Sequence, residues 1–95
     1  MVFDKLRKLI AGGGEPAPTE EPVTHEGYVI QPLPERDGGG WRVQADISRE
    51  IDGEMKTHRF IRADTFPDKA AAVSTTILKA KRVIDEQGER LFRDT

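Results

Sequence analysis

The sequence predicts an α+β fold. It reads as a three-stranded antiparallel meander sheet with one C-terminal helix packed on one face, preceded by a short amphipathic N-terminal helix on a flexible linker. Three observations carry this. Trp41, Val43, Ala45, Ile47 and Ile51 alternate with Arg42, Gln44, Asp46, Ser48 and Glu50, the period of two of a strand with one wet and one dry face. Asp52-Gly53 follows directly, a strong hairpin signal. Ala70, Val73, Ile77, Ala80 and Ile84 then recur at three- and four-residue spacing, flanked by Thr76 and Val83, which marks one apolar face of a helix.

Taken in order, residues 1–11 open with MVFDKLRKLI, where Phe3, Leu6 and Ile10 fall at helical spacing and the cations sit opposite. Three glycines, Gly12 to Gly14, stop this pattern, and residues 12–22 form a linker rich in Gly, Pro and Glu that is expected to be extended. The domain proper is placed at 23–95. Its first strand centres on Tyr28, Val29 and Ile30 and ends at Pro32 and Pro34, because proline cannot donate to a sheet ladder. Leu33 to Gly40 reads as a loop.

Trp41 to Ile51 is the second strand and Glu54 to Asp64 the third. Their register has two solutions. A two-residue turn pairs Ile51 with Glu54 and puts His58 and Phe60 on the Trp41 face. A three-residue turn with Gly53 as a bulge pairs Val43 with Ile61 and Trp41 with Ala63, and matching apolar to apolar favours this second register. It sends Phe60 to the opposite face, since one residue of slip reverses every side chain. The helix is expected over about Phe66 to Gln87. Thr65-x-x-Asp68 resembles a capping box, and Asp68 as the cap is the competing choice. Gly88 supplies the stop, and Leu91 and Phe92 are expected to fold back onto the core.

Composition narrows the chemistry. A chain of 95 residues holds one domain with a modest core. It has no cysteine, which excludes disulfides, thiolate metal sites and a cysteine nucleophile. No apolar run approaches the ~20 residues that cross a bilayer, and no signal-peptide h-region is visible, so a cytoplasmic protein is expected. The net charge of −2 does not suit a nucleic-acid binder, which usually carries a basic domain. The charge is uneven: Ala11 to Asp37 holds six carboxylates against Arg36, whereas the chain from Gly38 onward is nearly balanced.

The segment HRFIRADTF, residues 58–66, is the nearest thing to a chemical motif. Catalysis there would need a nucleophile with an acid–base partner, but adjacent strand residues point to opposite faces and no spacing supports a triad. A strand end followed by a helix cap accounts for Asp64, Thr65 and Asp68 together. His25 and His58 stand far apart without clustered carboxylates, so no metal or cofactor site is expected. The candidate interaction surface is Tyr28, Trp41, Arg42, Lys56, Arg59, Phe60 and Arg62. Its cations could contact phosphates and its aromatics could stack on bases, although Asp46, Glu50 and Glu54 interleave with them. Residues 1–10 could also touch an anionic membrane surface.

The stretches EGYVIQPLP, WRVQADISREIDGEMKTHRFIRADTF and KAKRVIDEQGERLF, with the start FDKLRKLIAGGG, resemble the small bacterial HlyU family over nearly the whole chain. That family is labelled a transcriptional activator, so the resemblance implies a regulator and not an enzyme, and it brings no catalytic residues. The domain pattern holds one good helix and no helix-turn-helix. Action through a protein partner or a homodimer, at the open sheet face or an edge strand, is therefore expected. Direct nucleic-acid binding by the cations of the 41–64 hairpin is the alternative.

Overall fold

The computed structural model describes residues 20–93; the amphipathic segment 1–11 and the linker up to residue 19 lie outside them. Among the described residues the order is β1 (Val23–His25), β2 (Tyr28–Pro32), β3 (Glu35–Asp37), β4 (Gly40–Ile51), β5 (Glu54–Phe66), α1 (Lys69–Gln87) and a 3-10 turn (Gly88–Phe92). This is an antiparallel sheet followed by one helix, with more strands than the three expected.

One extra strand, β3, comes from prolines that do not end the ladder. β2 and β3 lie along the same edge of β4, with Val29 opposite Ser48 and Glu35 opposite Arg42. Between them the Leu33 N–H donates to the Gln44 carbonyl at 2.8 Å. Because N–H groups alternate along a strand, Pro32 and Pro34 face away from β4, and their missing donors cost that ladder nothing. Residues 33–40 are thus largely strand and tight turn, not the expected loop. β1 adds on the outer side of β2 through Glu26-Gly27, where both residues have positive φ, 51° and 82°. That is the left-handed pair a two-residue type I′ turn needs.

Asp52 and Gly53 have the same signature, φ 53° and 79°. The turn is therefore the two-residue one: Ile51 pairs with Glu54, Ala45 with Phe60 and Gln44 with Ile61. This overturns the register favoured above. Turn geometry decides the parity, and apolar matching is recovered further along. Between the Gln44–Ile61 and Arg42–Thr65 pairs the ladder shifts, with three β5 residues, Arg62 to Asp64, set against Val43 alone. The irregularity brings Phe66, not Ala63, opposite Trp41. Gly40 fits this corner because a Cβ there would stand 2.9 Å from the Phe66 carbonyl oxygen.

The core lies between the sheet and α1. It gathers Tyr28, Ile30, Val43, Ala45, Ile47 and Phe60 from the strands, Ala80, Val83 and Ile84 from the helix, and Leu91 from the 3-10 turn. Leu91 is buried and Phe92 packs on the same cluster, as expected. The helix face differs from the expected one. Ala72, Thr76, Ala80, Val83 and Ile84 are buried, whereas Ala70 is exposed and Val73 and Ile77 are half-buried. The contact stripe is rotated by roughly 70°, at ~100° per residue. Small side chains face a sheet that already supplies the bulk, and the Thr76 hydroxyl is satisfied by the Ala72 carbonyl at 2.7 Å.

Asp68 caps the helix, accepting from the Ala71 N–H at 3.2 Å, so the capping box from Thr65 does not form. Thr65 is still in β5. Gly88, at φ 54°, ends the helix with its N–H on the Ile84 carbonyl.

Candidate interaction surface

The sheet's alternation sorts the seven candidate residues. Tyr28 and Phe60 belong to the core, 3% and 1% exposed, so neither can be offered to a partner. The Tyr28 ring stacks on Phe92, with centroids 6.2 Å apart and planes 17° from parallel, and the Arg49 guanidinium lies 4.8 Å from its centroid. Arg62 covers the Phe60 ring at 4.3 Å. Trp41 is half-buried between two cations, Arg36 and Lys69, each 5.1 Å from its centroid.

Three of the four candidate cations, Arg42, Lys56 and Arg59, are engaged with nearby carboxylates. Arg42 donates to Glu35 at 3.2 Å and Asp37 at 2.8 Å. The bond to Asp37, then its charge, raises the guanidinium's pKa further above its ordinary value. Arg59 pairs with Asp46 directly across the ladder, and Lys56 with Glu54 at 3.1 Å. The hairpin therefore presents a mixed-charge face in place of a cationic stripe.

The HRFIRADTF segment separates in the same way. His58 and Asp64 are both on β5, roughly 20 Å apart at ~3.3 Å per residue, too far for an acid–base pair. Asp64 reaches the helix, where Lys79 Nζ bonds it at 2.8 Å. That bond, reinforced by the Lys79 and Arg62 charges, holds the Asp64 carboxyl below the usual carboxylate range. A depressed folded-state pKa contributes stability above the unfolded value and loses it as pH falls through the folded one. Asp64→Asn is accordingly expected to flatten the acid limb of stability, read as the urea midpoint between about pH 5 and pH 2. A limb unchanged by the substitution would show that the pair does not act in solution.

Two further features escaped the sequence reading. His25 on β1 bonds Asp85 on α1 at 2.8 Å, a pair sixty residues apart with no local signal. A cleft of about 330 Å³ opens beside the β4–β5 turn, where Ile51 and Lys56 face Arg90 and Phe92 of the 3-10 turn and Arg93 just after it. The expected fold-back of Leu91 and Phe92 after Gly88 points to this corner, but no sequence spacing links it to the β4–β5 turn.

The face away from α1 is polar. Gln31, Gln44 and Ser48 are nearly buried on it, with the Gln31 amide on the Glu20 carbonyl, the Gln44 amide on the Leu33 carbonyl, and Ser48 Oγ 3.1 Å from Thr57 Oγ1. Ile61, at 47% exposed, is its largest apolar side chain standing open. Among the described residues there is no group of three or more His, Cys, Asp or Glu placed to hold a metal, and no helix long and apolar enough to cross a membrane.

The family description "Transcriptional activator HlyU" matches residues 3–92. The chain belongs to the HlyU transcriptional activator family. No curated protein and no solved structure matched it. The matched span of this HlyU-family chain covers every element of the sheet, the helix and the 3-10 turn. Family membership thus attaches to a fold with one helix, in which no second helix is placed to form a helix-turn-helix among the described residues.

Proposed function

We propose that this HlyU-family chain is a small non-enzymatic regulator that acts by protein–protein contact through the free edge of β5. One observation carries the reading. β5 is a strand of 13 residues that pairs with β4 on one side and with no described strand on the other. An unpaired edge of that length is a template for an added strand. The polar second face, closed by its own amide and hydroxyl bonds, supports the edge over the face as the contact.

The alternative, direct binding of nucleic acid by the hairpin, is weakened by the pairing of Arg42, Lys56 and Arg59 with carboxylates. A gel-shift titration of duplex DNA at stepped salt separates the two. The expected result is no shift at low salt. A shift whose affinity falls steeply with salt would overturn the protein-contact reading, since that slope counts displaced counterions. Sedimentation from low to high micromolar concentration then tells a homodimer from a monomer that awaits a different partner.

A further inference from the structure

The cleft beside the β4–β5 turn differs from the rest of the surface in its charge. In a chain of net charge −2, three cations, Lys56, Arg90 and Arg93, line it with one carboxylate, Glu89. Their donors are only partly used. Arg90 spends one N–H on the Gln87 carbonyl and one on the Glu86 carbonyl, which leaves three of a guanidinium's five. Lys56 spends one of three on Glu54. Arg93 makes no ion pair with a described residue. Ile51 and Phe92 give the same cleft an apolar lining. Its volume is at the low end of the ~300–1,000 Å³ of ligand pockets, room for one large side chain.

The cleft is continuous with the free edge. Lys56 is both a cleft residue and the third residue of β5, and the run Glu54–Ile61 pairs regularly before the irregularity at Arg62. We propose that β5 and this cleft together receive an extended acidic segment of a partner protein. Main-chain bonds would form along Glu54–Ile61, one apolar side chain of the segment would sit between Ile51 and Phe92, and its carboxylates would meet Lys56, Arg90 and Arg93. Strand addition supplies affinity through the backbone and specificity through such a pocket. This inference rests on the protein-contact reading given above and names the partner's chemistry.

The described part of the chain's own acidic linker is held away from the cleft. Glu20 is held at the start of α1 by Lys69, 3.3 Å away, and the cleft is at the other end of that helix. Nineteen residues of helix separate them, about 28 Å at 1.5 Å per residue. Glu15 lies five residues before Glu20 and reaches at most ~18 Å. The segment that could reach further carries Lys5, Arg7 and Lys8, the same sign as the cleft.

The test uses the full chain, labelled for amide NMR, and a capped synthetic peptide that alternates glutamate with valine around a central phenylalanine. Amides of 54–61 and 88–93 are expected to shift on titration. Arg93→Glu, a change at an exposed residue, is expected to weaken binding about tenfold by setting like charge beside the peptide's carboxylates. A peptide with lysine for glutamate should not bind, and one methylated on alternate backbone nitrogens should lose most of its affinity. No shift with the acidic peptide, or equal binding by the R93E variant, overturns the proposal. Duplex DNA displacing the peptide from the same amides would overturn both this inference and the protein-contact reading. Dilution alone moving those amides would assign the cleft to a second copy of the chain, which sinks the inference and leaves protein contact standing.

Discussion

Phe60→Ala is expected to lower the unfolding free energy by about 3–5 kcal/mol, the range for truncating a buried aromatic. The side chain is 1% exposed, faces Ala45 across the ladder and belongs to the main cluster. Its loss removes transfer energy and leaves a void that the sheet cannot close. Total stability for a small domain is about 5–15 kcal/mol, so a large share would go. Urea unfolding followed by the single tryptophan, Trp41, reads it directly. The comparison with Ile61→Ala makes the experiment a test of register. Ile61 is nearly half exposed, and its truncation should cost no more than about 0.5 kcal/mol. With β5 slipped by one residue the two results would exchange places, so near-neutral Phe60→Ala with costly Ile61→Ala would refute the register described.

Ile47→Ala should cost about 2–5 kcal/mol, and Ile47→Val only about 0.5–1.5. Ile47 is fully buried at the centre of β4, opposite Ile30 on one side and His58 on the other. It is the residue through which both flanking strands share the core. Truncation at Ile47 and at Phe60 together should not add, because both sites open onto one cluster and relax into each other's space. The double variant is expected to lose less than the sum. Strict additivity would mean that the two sites do not share a cavity, and would count against a single core under α1.

Much of this fold can be read from residues 41–88. Alternation along β4 is strong because one face is dry, and the helix carries a stop that glycine alone explains. The parts that resisted reading share a cause. Pro32 and Pro34 looked like terminators, yet what matters is which side of the strand each faces, and that depends on a neighbour whose register was unknown. Val43 and Ile61 looked like partners because both are apolar, but the turn's left-handed residues set the parity first and the irregularity near Arg62 repaired the match afterwards. The helix stripe is centred nearer Thr76 than the apolar spacing implies, because the Thr76 hydroxyl is satisfied by the Ala72 carbonyl and can be buried, which polarity alone does not reveal. Phe60 reads as a surface residue from the same ambiguity of face. The cleft was illegible for a different reason: its walls come from the β4–β5 hairpin and the 3-10 turn more than thirty residues away.

The two rims of this sheet are unequal, and that inequality governs how the molecule can assemble. On one rim β5 runs for 13 residues; on the other the boundary is split between β1 and β3, three residues each, offset by a strand and interrupted by prolines. Growth into a filament requires a head-to-tail contact, long rim on short rim, repeated without closure. Here the short rim has too little ladder to accept the long one. A strand added to β5, from a second copy by a twofold axis or from another protein, would occupy the one long free edge among the described strands. Among the described strands, then, the sheet offers one long edge to a single added strand and no matching edge from which a filament would grow.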